Sequence, residues 1–406
     1  MEQENLPKSL SYNQILIMAL TAGICAANIF YSQPIFHDIA TTFQINPESV
    51  GIFAILSQVG YGLGLFFITP LGDKMDRKTL IVCLEACLAL SLLTITLTTS
   101  VLVLYIAAFL IGLFAVAAQV ILPMAASMVS ENRGKVVGIV FTGILIGVLV
   151  SRIFSGYITQ WFGWRYIYGF SSILVTISAI MIHTSFLKSK EEPFKGTYMS
   201  LLASTFQQFT RFKSLRRTSL IGALTFGTFS SFWIVLTFHL GGEPFNFKSD
   251  TIGLFGILAI AGILLVPIFG KMADKNASPS SSLTIGVVAA LIGVLALIIN
   301  PYSLVTIWIA IVLIDVGVQI AQVTNIAFIY TLDQSANSRI NTVYMTSYFV
   351  GGSLGATFGI LCWKIGGWYL VMGQMALCLC TAFLIIRFSV KTSKSIFKFI
   401  KGTRGH

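Results

Sequence analysis

The chain is 406 residues long, 56% apolar and only 10% charged, with a mean hydropathy of +0.86. Apolar runs of about twenty residues recur along its whole length, enough for a helix to cross hydrocarbon, which excludes a soluble fold and predicts an all-α polytopic membrane protein. The formal charge of +11 does not point to nucleic acid, because the chain offers no folded soluble domain on which a basic face would form.

Hydropathy places twelve spans at 14–34, 51–70, 79–99, 101–128, 136–159, 165–187, 218–240, 251–270, 282–300, 303–330, 340–363 and 366–388. The first runs into Asn28, Tyr31 and Gln33 without a small-residue cleavage site, and is read as retained. Between spans 2 and 3, Asp73, Lys74, Asp76, Arg77 and Lys78 form a charge cluster that must lie outside the hydrocarbon, as a short loop. Glu85 follows close to that end of span 3, where a carboxylate at headgroup depth is expected to pair locally or snorkel.

Arg152 in span 5 and Asp315 in span 10 fall near mid-membrane at about 1.5 Å per residue. A charge there is costly unless it faces a cavity or a partner, so both are functional candidates. They would either form an ion pair or bind substrate and proton separately, with Asp315 carrying the proton. The six cysteines all lie in spans without a His or carboxylate arrangement around them, and are read as apolar packers rather than metal ligands. His37 and His239 sit at the outer ends of spans 1 and 7 as interfacial histidines.

All but four of the 26 Lys and Arg fall on one side of this topology; Arg165, Lys248 and Lys364 lie opposite and Arg152 lies within a span. The positive-inside rule therefore predicts both termini to be cytoplasmic. The two halves also echo one another: Val50–Leu56 reads like Ile252–Leu258, Gln119-Val120 like Gln322-Val323, and Gly163-Trp164 like Gly367-Trp368. Six spans separate the copies, so the repeats are parallel, related by an axis along the membrane normal. The expected domains are a first six-helix bundle at 1–187, a basic linker at 188–217, a second bundle at 218–390 and a basic tail at 391–406. Within the linker, 198–217 would form either an amphipathic surface helix or a solvated segment.

The cluster Asp73-Lys74-Met75-Asp76-Arg77-Lys78, with a second copy Gly270-Lys271-Met272-Ala273-Asp274-Lys275, resembles the signature loop of the major facilitator superfamily. The stretches Ala27–Pro34, Ala118–Pro123, Ser151–Gly156, Asp315–Gln319 and Ser338–Tyr344 resemble bacterial efflux permeases of the drug, sugar and nucleoside exporter type within it. The resemblance implies twelve helices in two pseudo-symmetric bundles in a bacterial inner membrane. It also implies a conformational latch formed by Asp73, Arg77, Lys78, Glu131 and Asp274. In that latch Asp73 would meet the start of span 11 near Asn341, and Arg77 would pair with Glu131. It places Asn28, Tyr31, Gln33, Gln119, Arg152, Asp315, Gln319, Gln322 and Asn325 on cavity-lining spans. For the amide and hydroxyl groups among them, interhelical hydrogen bonding is an equal alternative. Phe229, Phe232 and Trp233 on span 7, with Tyr344 and Tyr348 on span 11, would add aromatic walls.

No Gly-x-x-x-x-Gly-Lys-Ser/Thr loop, nucleophile-base set or metal-ligand spacing is present. The sequence therefore predicts no enzyme and no cofactor. It predicts a monomeric secondary transporter that moves a small organic solute across the bilayer by alternating access, as proton-coupled efflux. Proton-coupled uptake or facilitated diffusion is the rival within transport. A non-transporting sensor on the same scaffold would need an added soluble domain, which these loops are too short to provide.

Overall fold

The computed structural model describes residues 10–129, 133–187, 196–260, 279–333 and 336–402. Helix α1 (Tyr12–Ala27) opens on a capping box: the Gln14 backbone N–H donates to the Ser11 hydroxyl at 3.3 Å and the Ser11 N–H to Gln14 Oε1 at 3.0 Å. It stops earlier than hydropathy predicts. The Asn28 side chain donates to the Ile24 carbonyl at 2.8 Å, satisfying an acceptor of the last turn. A 3-10 turn at Gln33–Ile35 follows, with Pro34 unable to continue an α-helix, and then the short α2 (Phe36–Phe43). The first span is thus a broken helix, because its polar residues supply local hydrogen bonds that compete with the helical ladder.

Helix α3 (Pro47–Phe67) starts on a proline whose missing N–H is an orphan at that position anyway. A 3-10 turn at Thr69–Asp73 leads to α4 (Arg77–Leu97), whose N-cap Asp76 accepts from the Thr79 N–H at 2.9 Å. The fourth span is divided at Val116 into α5 (Val101–Ala115) and α6 (Ala117–Ser127). Helices α7 (Arg133–Phe162) and α8 (Trp164–Ser185) meet at Gly163, whose φ of 99° suits only glycine. The linker contains α9 (Tyr198–Arg211), an amphipathic helix with Leu201, Leu202 and Thr205 buried and Met199 and Phe206 exposed.

The second repeat comprises α10 (Lys213–Gly241), α11 (Ser249–Leu254) with a 3-10 turn at Phe255–Ala259, α12 (Pro279–Ile299), α13 (Leu304–Ile329) and α14 (Asn337–Gly402). Helix α14 is two helices joined at Gly366 and Gly367, the latter with φ 60°. This junction repeats the α7–α8 corner, including the tryptophan behind the glycine: Trp164 donates to Thr42 Oγ1 at 2.8 Å and Trp368 to the Leu297 carbonyl at 3.2 Å. Among the described residues, nine stretches are long and apolar enough to cross a membrane, and Tyr12–Ala27 and Ser249–Ala259 are shorter apolar helices. The 52-residue stretch Asn337–Phe388 contains two predicted spans, so each of the twelve begins on an observed helix or within two residues of one. The eighth continues into residues outside those described.

The chain packs into two units, Met1–Gln207 with Leu236–Ile257, and Gln208–Val235 with Leu258–His406. The outer corner made by the end of α10 and the start of α11 is therefore gathered with the first unit. Each unit contains the same seam of small residues. In the first, a Cβ added at Gly143 would lie 2.3 Å from the Ala19 carbonyl oxygen and one at Gly147 2.2 Å from that of Gly23. In the second, a Cβ at Gly351 would lie 2.3 Å from the Ala223 carbonyl oxygen and one at Gly355 2.1 Å from that of Gly227. Backbones this close admit no side chain. Gly147→Ala and Gly355→Ala are each expected to destabilise the protein by about 1–3 kcal/mol through overpacking. The check is thermal unfolding in detergent: both variants should melt several degrees lower, while Gly138→Ala, with nothing within 4 Å of an added Cβ, should not.

Candidate functional site

In the first unit, the broken end of span 1 and the outer half of α7 bring Gln33, Phe30 and Arg152 together. Arg152 is 2% exposed; its Nε donates to Gln33 Oε1 at 2.9 Å, and its guanidinium carbon lies 5.2 Å from the centre of the Phe30 ring. A guanidinium fixed by an amide oxygen on one edge and an aromatic ring on one face is oriented before any solute arrives, a geometry suited to an anionic or electron-rich group. Phe30 did not stand out in the sequence; its signal was position, three residues before Gln33 on the interrupted stretch.

Asn28 and Tyr31 belong to the packing inside the bundle. The Ser171 hydroxyl on α8 donates to Asn28 Oδ1 at 2.7 Å, so both polar ends of Asn28 are engaged within protein. Tyr31 is 4% exposed, hydrogen-bonded with Ser171 and edge-on to Tyr168 at 6.4 Å. It also lines an apolar groove of ≈ 670 Å³ along α1 and α7, together with Ala19, Gly23, Gly143 and Gly147. Gln119 on α6 is half-buried and hydrogen-bonds with the Tyr61 hydroxyl of α3.

In the second unit, Asp315 sits in the middle of α13, 3% exposed, and its Oδ1 accepts from the Trp233 indole N–H at 3.0 Å. Sequence patterning gave Trp233 only as an aromatic wall; its N–H also orients the acid. The aromatic wall itself is present: Phe226 stacks on Tyr348 at 4.0 Å, Tyr348 lies 6.0 Å from Tyr344, and Phe229 lies 6.3 Å from Trp233. Asn325 donates to the Tyr344 hydroxyl at 3.3 Å, while its Oδ1 and the half-buried Gln319 Oε1 are buried without hydrogen-bond partners among the described residues. Gln322 is half-buried on the same helix. Unfilled acceptors on the helix that carries the buried acid have the capacity to take a hydrogen bond from a polar group.

At the charge-rich end of the first unit, Arg77 pairs with Asp73 at 3.2 Å, one turn apart. Its guanidinium also donates to the Gly72 carbonyl at 3.2 Å, the Pro123 carbonyl at 3.4 Å and Ser127 Oγ at 3.0 Å, tying the loop to the end of α6. Lys78 begins α4 beside it. Glu131 and Asp274 lie outside the described residues. In the linker, Arg211 pairs with Asp333 at 2.8 Å.

Glu85 departs from its expected place. It does not snorkel to the protein surface; it is 0% exposed, enclosed by α1, α4 and α8. Span 3 turns this face inward because Ser178 on α8 and Cys25 on α1 supply hydrogen-bonding groups there, and hydropathy alone does not reveal which face of a span points inward. The spacing of Ser171 and Ser178, two turns apart on one face of α8, was the available signal.

The Major Facilitator Superfamily family model matches residues 18–360. The chain belongs to the major facilitator superfamily. Among relatives of this transporter, the uncharacterized transporter YgaY of Escherichia coli O157:H7 is 35% identical over 360 residues, covering 88% of this chain and 91% of that one. The inner membrane transport protein YnfM of Escherichia coli K12 is 25% identical, covering 92% and 90%. A crystal structure of a bacterial homolog of the human lysosomal transporter Spinster, in an inward-facing and unoccupied conformation, shares the fold with a TM-score of 0.72 at 14% identity. That match covers 93% of this chain and 97% of the other. The protein is thus a multi-pass membrane transporter for a small molecule, and not an enzyme.

Proposed function

We propose that this transporter exports a small organic solute in exchange for protons, by alternating access of two six-helix bundles, 1–187 and 218–390, in a bacterial inner membrane with both termini cytoplasmic. The single observation that carries the reading is Asp315. A carboxyl 3% exposed in the middle of a membrane helix, held by an indole N–H and with Tyr348 nearby, is expensive to maintain and is retained where it binds or carries something. Arg152, held by Gln33 and Phe30, supplies the complementary charge for a polar solute. The direction of transport rests on the resemblance of spans 1, 4, 5, 10 and 11 to efflux permeases.

The test is dequenching of a proton gradient in inside-out vesicles, challenged with drugs, nucleosides, sugars and siderophores. One solute class is expected to collapse the gradient, and Asp315→Asn to reduce that collapse at least tenfold while membrane abundance stays within twofold. A flat response across the panel, with solute counterflow retained in both proteins, would replace antiport with facilitated diffusion and leave Asp315 a structural acid.

A further inference from the structure

Glu85 lies in the first unit, apart from the groups used above. Its carboxyl is fully buried where α1, α4 and α8 meet. The Ser178 hydroxyl oxygen is 2.5 Å from Glu85 Oε1, and the Cys25 thiol is 3.8 Å from the same atom. Glu85 Oε2 is buried and has no hydrogen-bond partner among the described residues. Among those residues, too, no cation reaches the carboxyl. Helix α8 presents Ser178 and holds its His183 exposed. Helix α1 presents Cys25, with Tyr61 of α3 beyond it. Helices α5 and α6 offer one titratable group, Tyr105, which is bound to the Ser49 carbonyl.

Ser178 settles where a proton sits. Its hydroxyl oxygen is also 2.9 Å from the Val175 carbonyl oxygen, which can only accept. A serine hydroxyl has a single proton to give. One proton shared between Val175 and Glu85 would make two weakened three-centre bonds, whereas both contacts become full hydrogen bonds when the carboxyl is the acid and donates from Oε1 to the serine oxygen, which passes its own proton to Val175. The unpartnered Oε2 is then a neutral carbonyl oxygen, far less costly to bury bare than a carboxylate oxygen.

We propose that Glu85 is a proton-binding site of the first bundle, loaded in the described state and discharged to water when α1 moves away from α8. The inference deepens the proton-exchange reading above and rests on it for its physiological role. The step is a simple acid dissociation: the Oε1–H bond breaks, its electron pair remains on the carboxylate, and the proton passes to water admitted beside it. The charge left behind cannot stay in the closed pocket. Its neighbours are placed to transmit that strain, since Cys25 lies one turn before Asn28, where span 1 breaks, and Ser178 lies two turns beyond Ser171, which holds Asn28. Five residues past Asn28, Gln33 holds Arg152.

The experiment is infrared spectroscopy of the full chain in lipid nanodiscs, with glutamate carboxyls 13C-labelled, stepped from about pH 5 to about pH 9, above the range in which exposed glutamates titrate. Wild type is expected to show a glutamic-acid carbonyl band at neutral pH that fades reversibly as pH rises. That band should be lost in Glu85→Gln and present at wild-type intensity in Asp315→Asn. Ser178→Ala, which keeps the carboxyl but removes its acceptor, should shift the band without abolishing it. A band that persists in Glu85→Gln, is missing from wild type at neutral pH, or does not fade at any pH overturns the proposal. The measurement needs no solute: a titrating band alongside a flat vesicle assay sinks the antiport reading alone, and gradient collapse without the band sinks the Glu85 site alone.

Discussion

Arg152→Lys is expected to lower transport at least tenfold while leaving the protein in the membrane at near wild-type abundance. The substitution keeps the charge and most of the length, so it separates charge from geometry. Arginine here uses two features that lysine lacks. Its Nε donates to Gln33 Oε1 at 2.9 Å while its guanidinium carbon lies over the Phe30 ring, 5.2 Å from the ring centre. A hydrogen bond to a charged group contributes about 1.5–3 kcal/mol and a partly desolvated cation–π contact about 0.5–2 kcal/mol. Losing most of even the smallest such combination, about 2 kcal/mol, reaches the roughly 1.4 kcal/mol that corresponds to tenfold. The measurement is the rate of gradient collapse produced by whichever solute class wild type answers to, normalised to protein in the vesicles. A lysine variant running at the wild-type rate would reduce Arg152 to a bulk positive charge and remove Gln33 and Phe30 from the site.

Much of the architecture was legible in the sequence because a bilayer leaves so few solutions. Runs of apolar residues marked helices at each of the twelve predicted spans, the eighth over its described part alone, and the Gly163-Trp164 and Gly367-Trp368 echo marked two corners that the backbone builds with glycines of positive φ. Asp315 and Arg152 stood out as charges in hydrocarbon and are both buried in protein. Three features were not legible, each for a different reason. The break in span 1 depends on Asn28 bonding back to Ile24, a local competition that hydropathy averages away. The burial of Glu85 depends on which face of α4 turns toward α8, and span 3 carries apolar residues on every side, so no polar stripe tells the inner face from the outer. The gathering of Leu236–Ile257 with the first unit cuts through a single helix, and no change in composition at Val235 announces it.

That corner leads to the second large effect. Gly156→Val is expected to unseat α11 from α7 and slow transport about tenfold or more. Gly156 lies one turn beyond Arg152 on α7, and a Cβ added to it would fall 2.4 Å from the Ser249 carbonyl oxygen. In return a Cβ at Gly253 would fall 2.6 Å from the Arg152 carbonyl oxygen and one at Gly256 3.2 Å from the Arg152 Cβ. The seat is closed further by the Ser249 hydroxyl donating to Asp38 on α2 and by Phe238 packing on Phe36 at 5.6 Å. Ser249 to Ala259 belong to the second sequence repeat, so in the alternating-access cycle proposed above this seat would open and re-form once per turnover. Valine adds three carbons against a carbonyl that cannot withdraw without moving α11. Overpacking of that kind costs about 1–3 kcal/mol, which shifts a two-state equilibrium by about 5- to 150-fold. Ser249 is 5% exposed, so a Ser249→Cys reporter in nanodiscs should react slowly with a membrane-impermeant maleimide, and at least fivefold faster once Gly156→Val is added. Equal labelling in the two backgrounds would mean that α11 tolerates the side chain in place, and that the α7–α11 seam is fixed packing carried through the cycle unchanged.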